Sequence, residues 1–267
     1  MERCSMAETT EHDRDAGETH GKPRSPVVKW MGAFALGGAL LFIVVAIVAL
    51  TLARYGIVDK LGGFITFMKL LFPALVTAVV AAIALVIGYW RKVRPVWQAA
   101  AGLVLSLGLL IVMYFAVIQP GTSAPAMHDI TTDVDDPPQF VALALRPDNL
   151  TPFDSMEEWR AAHRQNYPMI EPVVIDRPPE QVLAQARALA EDRGWTIAYY
   201  DVPTGHMEAT AYAGYIRFMD DVIVEVTPIA DGSSRVDMRS VSRVGVSDLG
   251  YNAARVQEFL HALQRAG

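Results

Sequence analysis

Residues 30–53 read WMGAFALGGALLFIVVAIVALTLA, twenty-four consecutive positions without an Asp, Glu, Lys or Arg. About 20 apolar residues suffice to cross roughly 30 Å of hydrocarbon, so this run is long enough to span a bilayer as a helix. Residues 70–90 and 97–118 repeat the pattern. The first run is also longer than the roughly 7–15 residues of a signal-peptide core, and a charged tail precedes it, which points to a retained span rather than a cleaved leader. The sequence therefore divides into a cytoplasmic tail over 1–28, three transmembrane helices over 29–118, a Pro/Ser linker over 119–127 and an extracytoplasmic domain over 128–267. The tail, rich in Glu, Asp, Thr, Gly and Pro with no apolar period, reads as disordered.

Orientation follows from Lys and Arg near the helix ends, which favour the cytoplasm. Lys22, Arg24 and Lys29 precede the first span, and Arg91, Lys92 and Arg94 crowd the turn between the second and third. After the third span no Lys or Arg occurs before Arg146. Arg54, Lys60 and Lys69, between the first two spans, weaken the contrast without reversing it. The expected arrangement is a multi-pass inner-membrane protein with its N-terminus inside and its C-terminal domain in the periplasm. No ionisable residue sits deep in a span, which argues against a channel or transporter built from these helices alone. Ala74, Ala78 and Ala82 form a small-residue row on the second helix, although alanine is common in such helices.

Residues 128–267 carry 22 Asp and Glu against 12 Arg and no Lys, a net charge of −10. That sign excludes nucleic acid as a partner. The single Cys4 excludes an internal disulfide and a cysteine metal cage. Apolar spacing predicts helices over 152–165, from Pro178-Pro179 to Gly194 with Asp176 as cap, and over 249–264 with Ser247 or Asp248 as cap. Strand-like runs cover 195–201, 206–215, 222–229 and 234–242, separated by turn chemistry at Pro203-Thr-Gly205 and Asp231-Gly232. Four short strands flanked by helices predict an α+β domain, an antiparallel sheet of about four strands packed with helices.

Two segments are dense in polar groups. In the first, His128, Asp129 and Asp133 combine an imidazole with carboxylates, a set that can bind a divalent cation but reads better as an Asx/Thr turn network; no metal or other cofactor is assigned. The second runs from Arg239 to Asn252. Arg239 and Arg243 share one strand face with Arg235 and Asp237, and Ser240 and Ser242 share the other. Ser247 and Asp248 open the last helix, where free N–H groups and guanidinium forks could hold an anion. The alternative is a helix cap braced by ion pairs, with Glu208, Asp237 and Asp248 as the expected carboxylate partners of Arg239 and Arg243. Together with Glu208 and Asn252 these residues form the candidate ligand site. No G-x-S-x-G, H-E-x-x-H, P-loop or G-x-G-x-x-G occurs.

His128–Asp133 with Asp136-Pro-Pro, Tyr167-Pro168, Gly194-Trp195, Glu208-Ala-Thr210, Phe218 with Asp220-Asp221, and above all RSVSRVGVSDLGYN over 239–252, resemble the bacterial domain-of-unknown-function family fourteen-ninety-nine. The likeness covers about residues 128–264, and Gly214-Tyr215 departs from it where a Trp is expected. The resemblance implies an exported or membrane-attached domain and no established chemistry. The favoured reading is a binding or scaffolding module anchored in the bilayer by three helices, without catalysis, whose further partner is another envelope protein or a small anionic ligand. The rival is an envelope hydrolase or metal-assisted enzyme using the His128–Asp133 and Arg239–Asn252 segments.

Overall fold

A computed structural model describes residues 25–94 and 96–265. Residues 1–24 of the expected tail lie outside the described part, whereas Pro26–Val28 already belong to the first helix, where proline suits a position whose N–H has no partner. Helix α1 runs Pro26–Arg54, α2 Lys60–Lys69, α3 Leu71–Trp90 and α4 Trp97–Met113. They make three spans long and apolar enough to cross a membrane, with α2 and α3 together forming the second.

Small residues set the bundle's spacing. A Cβ on Gly102 of α4 would stand 2.7 Å from the Ala35 carbonyl carbon of α1, and one on Gly63 of α2 would stand 2.4 Å from the Ala53 Cβ. Close approach of this kind replaces the hydrophobic drive that helices lack in lipid. On α3 the buried small positions are Ala74, Ala78, Ala81 and Ala84, while Ala82 is only half-buried, so the expected row turns away after Ala78.

The expected linker is largely helical. After α4 the chain makes a π-helical turn over Tyr114–Ile118 and continues as α5, Gln119–Ser123. Pro120 falls at the first turn of α5, where it is tolerated, and the Thr122 and Ser123 hydroxyls donate to the Gln119 carbonyl.

The remainder is an α+β domain. Strands β1 (Asp129–Thr131), β2 (Val173–Ile175), β3 (Thr196–Asp201), β4 (His206–Ala213), β5 (Phe218–Pro228) and β6 (Ser234–Ser242) form one open antiparallel sheet in the order β1-β6-β5-β4-β3, with β2 also on the outer edge of β6. Helices α6 (Met156–Asn166), α7 (Pro179–Asp192) and α8 (Tyr251–Arg265) complete it. Alternation decides the two sheet faces. Met207, Val222, Val224, Val236 and Met238 point into the core with Leu183 and Ala186 of α7 and Val256, Phe259 and Leu263 of α8. Trp195 stacks on Phe259 with ring centroids 5.0 Å apart. The opposite face carries Glu208, Asp221, Arg235, Asp237, Arg239 and Arg243, and chain from residues 133–146 lies over part of it. Asp176 does not cap α7; it accepts from the Ser233 hydroxyl, and Pro178 stands at the N-cap.

Candidate functional site

The covered sheet face is an ionic layer. Arg239 meets Asp129 of β1 through two parallel bonds, Nε to Oδ1 at 2.9 Å and Nη2 to Oδ2 at 2.7 Å, and its Nη1 donates to the Pro138 carbonyl. Arg243 grips Asp221 in the same manner and adds the Thr210 hydroxyl. Arg235 bridges Asp133 and Asp237. The expected partners Glu208, Asp237 and Asp248 are thus replaced at Arg239 and Arg243 by Asp129 and Asp221. Distance is the reason: Glu208 lies on β4 with β5 between it and β6, about 10 Å away at the usual strand spacing. Asp237 is taken by Arg235, and Asp248 lies beyond the strand at the start of α8.

Glu208 has a different task. Its carboxylate accepts from the backbone N–H groups of Val141, Ala142 and Leu143, at 2.5 to 3.1 Å, and contacts His206 Nε2 at 2.9 Å. Burial pushes its pKa up, but the N–H groups of Val141 and Leu143 with His206 and Ala142 outweigh that and hold it below the ordinary value. His206 is raised instead, chiefly by its hydrogen bond to Glu225, with burial opposing and Glu208 adding. His128 is lowered by burial and then by the Arg146 guanidinium, whose Nη2 donates to Nε2 at 3.1 Å. Among the described residues no three His, Cys, Asp or Glu side chains gather in a way that could hold a metal ion.

The helix-facing side of the same strands ends in a second polar group. Asn252 of α8 accepts from Ser240, donates to Ser242 and to the His128 carbonyl, and so joins both polar segments. Arg255, one turn on, bonds Asp220 at 2.6 Å, Ser240 and Asn252. Asp248 accepts from the N–H groups of Gly250 and Asn252, so its side chain satisfies a first-turn donor of α8 although the helix starts at Tyr251, two residues later than expected; Ser247 accepts from Leu249. Burial raises the pKa of both Asp220 and Asp248, against the Arg255 charge at the first and the backbone donors at the second.

Asp220, Asp221 and Arg255 were not singled out as site residues from sequence. The signal existed: Asn252, Arg255 and Phe259 continue one helical stripe, and a charge on a buried stripe demands a partner.

The domain is seated on the bundle. The turn between β4 and β5 meets the loop between α1 and α2: Arg54 Nη1 donates to the Tyr215 carbonyl at 2.6 Å and Lys60 Nζ to that of Ile216 at 2.8 Å. Thr51 bonds the Tyr215 hydroxyl, and the Arg54 guanidinium lies 5.0 Å from the Tyr215 ring centre. Beside this contact a cavity of about 580 Å³ opens between bundle and domain. Its bundle wall includes Ile47, Leu50, Phe64 and Val117; its domain wall includes Phe218, Asp220, Ser242, Ser247, Asp248 and Leu249. Of the candidate residues, Ser242, Ser247 and Asp248 reach it, while Ser242 and Arg243 line a smaller space of about 190 Å³ near Arg146. His128, Asp129, Asp133, Glu208, Arg239, Ser240 and Asn252 are committed to internal bonds.

The family described as a protein of unknown function (DUF1499) matches residues 129–263, just over half of the chain and all six strands. The chain belongs to that family. No curated protein matches it. The DUF1499 domain thus begins at β1, within six residues of the end of α5, and its Arg239–Asn252 run builds the polar group on which the junction cavity rests.

Proposed function

We propose that this chain is an envelope protein held in the inner membrane by three helices, with its DUF1499 domain on the periplasmic side acting as a binding module rather than as an enzyme. The observation that carries the reading is the seat of the domain on the bundle, with the 580 Å³ cavity lined by residues of both. Ligand sites favour such interfaces between structural units, and about 300–1,000 Å³ is the usual size. The polar residues that could have served catalysis are spent on one another. Arg239 and Arg243 are neutralised by Asp129 and Asp221, and Glu208 clamps three backbone amides. The sequence asymmetry in Lys and Arg supports the orientation. Arg54 and Lys60, which weaken that asymmetry, hold the turn between β4 and β5 and so have a structural reason to stand on the domain side.

The test is a pair of C-terminal fusions in a Gram-negative host. Alkaline phosphatase is expected to be active there, and a fluorescent protein that matures only in the cytoplasm to be dark. The reverse pair of results overturns the orientation.

A further inference from the structure

The junction cavity is two-sided in chemistry. Ile47 and Leu50 lie four to seven residues before Arg54 at the end of α1, so they stand about 6–10 Å inside the bundle end at 1.5 Å per residue. Phe64 and Val117 join them from the other spans. This wall lies at the depth of acyl chains, where the most abundant apolar molecules are those of the bilayer itself. The opposite end holds the carboxylates of Asp220 and Asp248 with the Ser242 hydroxyl. No Lys, Arg or His lines the cavity among the described residues. Among the described residues, the cation bonded at this polar end, Arg255, is committed to Asp220, while Arg54 and Lys60 stand at the other side of the cavity, bonded to the Tyr215 and Ile216 carbonyls. Each carboxylate can accept about four hydrogen bonds, and the named donors leave acceptor capacity at both.

We infer that the cavity admits the chain of a bilayer amphiphile whose head is a hydrogen-bond donor, a hydroxyl or an ammonium, and rejects one headed by a carboxylate or phosphate. At this polar end an anionic head would meet two carboxylates and no cation beyond the Arg255 already paired with Asp220, whereas a hydroxyl or ammonium donates to Asp220 or Asp248. The apolar chain makes its dispersion contacts along the wall of Ile47, Leu50, Phe64 and Val117. This assignment rests on the binding-module reading and supplies its ligand class.

The experiment uses the full chain in detergent, examined by native mass spectrometry with monooleoylglycerol or oleate added as probe. The expected result is one bound monooleoylglycerol, with oleate weaker by at least about tenfold. Ala116→Phe, which puts an apolar ring into the cavity from the membrane side, is expected to abolish binding while the thermal melt stays unchanged. Asp248→Asn keeps the shape of the cap and is expected to narrow the gap between the two probes. Equal binding of oleate and monooleoylglycerol, both blocked by Ala116→Phe, overturns the head-group assignment and leaves the binding module intact. Binding of neither probe, or binding indifferent to Ala116→Phe, overturns the cavity as the site; the fusion pair tests orientation separately.

Discussion

Arg239 and Asp129 form a two-bonded ion pair that is almost wholly withdrawn from water, with side-chain exposures of 5% and 2%. The pair ties the short edge strand β1 to β6 110 residues later, and the Pro138 carbonyl and Asn149 amide complete its bonding. Exposed pairs contribute about 1 kcal/mol or less, but breaking a buried one leaves an unsatisfied charge.

Arg239→Met is therefore expected to destabilise the domain by about 3–5 kcal/mol, because the Asp129 carboxylate stays behind without its partner. The double variant Arg239→Met with Asp129→Leu recovers much of that loss. Urea unfolding of the full chain in detergent, followed by Trp fluorescence, measures both. A single-variant cost under about 1 kcal/mol contradicts the buried-pair account.

Acid weakens the fold through His163. Burial holds its pKa down to about 4 from 6.5, and its Nε2 accepts from the Thr131 N–H at 3.2 Å. Between those values the unfolded chain binds a proton that the folded chain refuses, so stability falls as pH falls from 6.5 toward 4, in total by on the order of 3 kcal/mol. His206 acts oppositely: its raised pKa lends stability that is present below 6.5 and lost as pH rises through the folded value. His163→Gln retains an acceptor and removes the proton. Its stability–pH curve is expected to be flatter than the parent's over that window, and parallel curves refute the assignment.

The turn before β4 requires glycine. Gly205 has φ of +69°, and a Cβ there would stand 2.1 Å from the Val226 carbonyl oxygen. Gly205→Ala combines left-handed strain with a backbone clash and is expected to cost at least about 2 kcal/mol. Replacing Gly56, whose φ is +70° but whose Cβ position is open, gives the comparison: similar losses at both positions mean that the clash adds nothing.

Arg54→Ala with Lys60→Ala should loosen the domain's seat without unfolding it. Trypsin then reaches the bond after Arg217, at the tip of the β4–β5 turn, faster than in the parent chain, while the domain's melting temperature moves by less than about 2 °C. Unchanged cleavage shows that the contact with Tyr215 and Ile216 is dispensable.

The three spans were legible because length and absence of charge suffice to define them, and the strand over 234–242 because its alternation is regular. The start of β5 was hidden. The sequence places a strand from Val222, whereas the strand begins at Phe218 and contains Asp220-Asp221. Two adjacent aspartates are poor strand formers in isolation. Here they point to opposite faces, where Arg255 and Arg243 receive one each. Neither partner is near in sequence, so local propensity carried no trace of the compensation. β1 and β2 have three residues each, too few for a period to show. The junction cavity was invisible for the same reason on a larger scale, since its two walls come from segments nearly 100 residues apart or more.

The unbroken helix from Trp97 through Ser123 has a mechanical consequence. Its 27 residues span about 40 Å, some 10 Å more than the hydrocarbon layer, and only five residues separate it from β1. A flexible tether would let the domain sweep a hemisphere and capture partners arriving from solution. With the anchoring proposed above, five residues reach at most about 17 Å, so the domain would stay at the membrane surface and meet its ligand by lateral diffusion in the lipid.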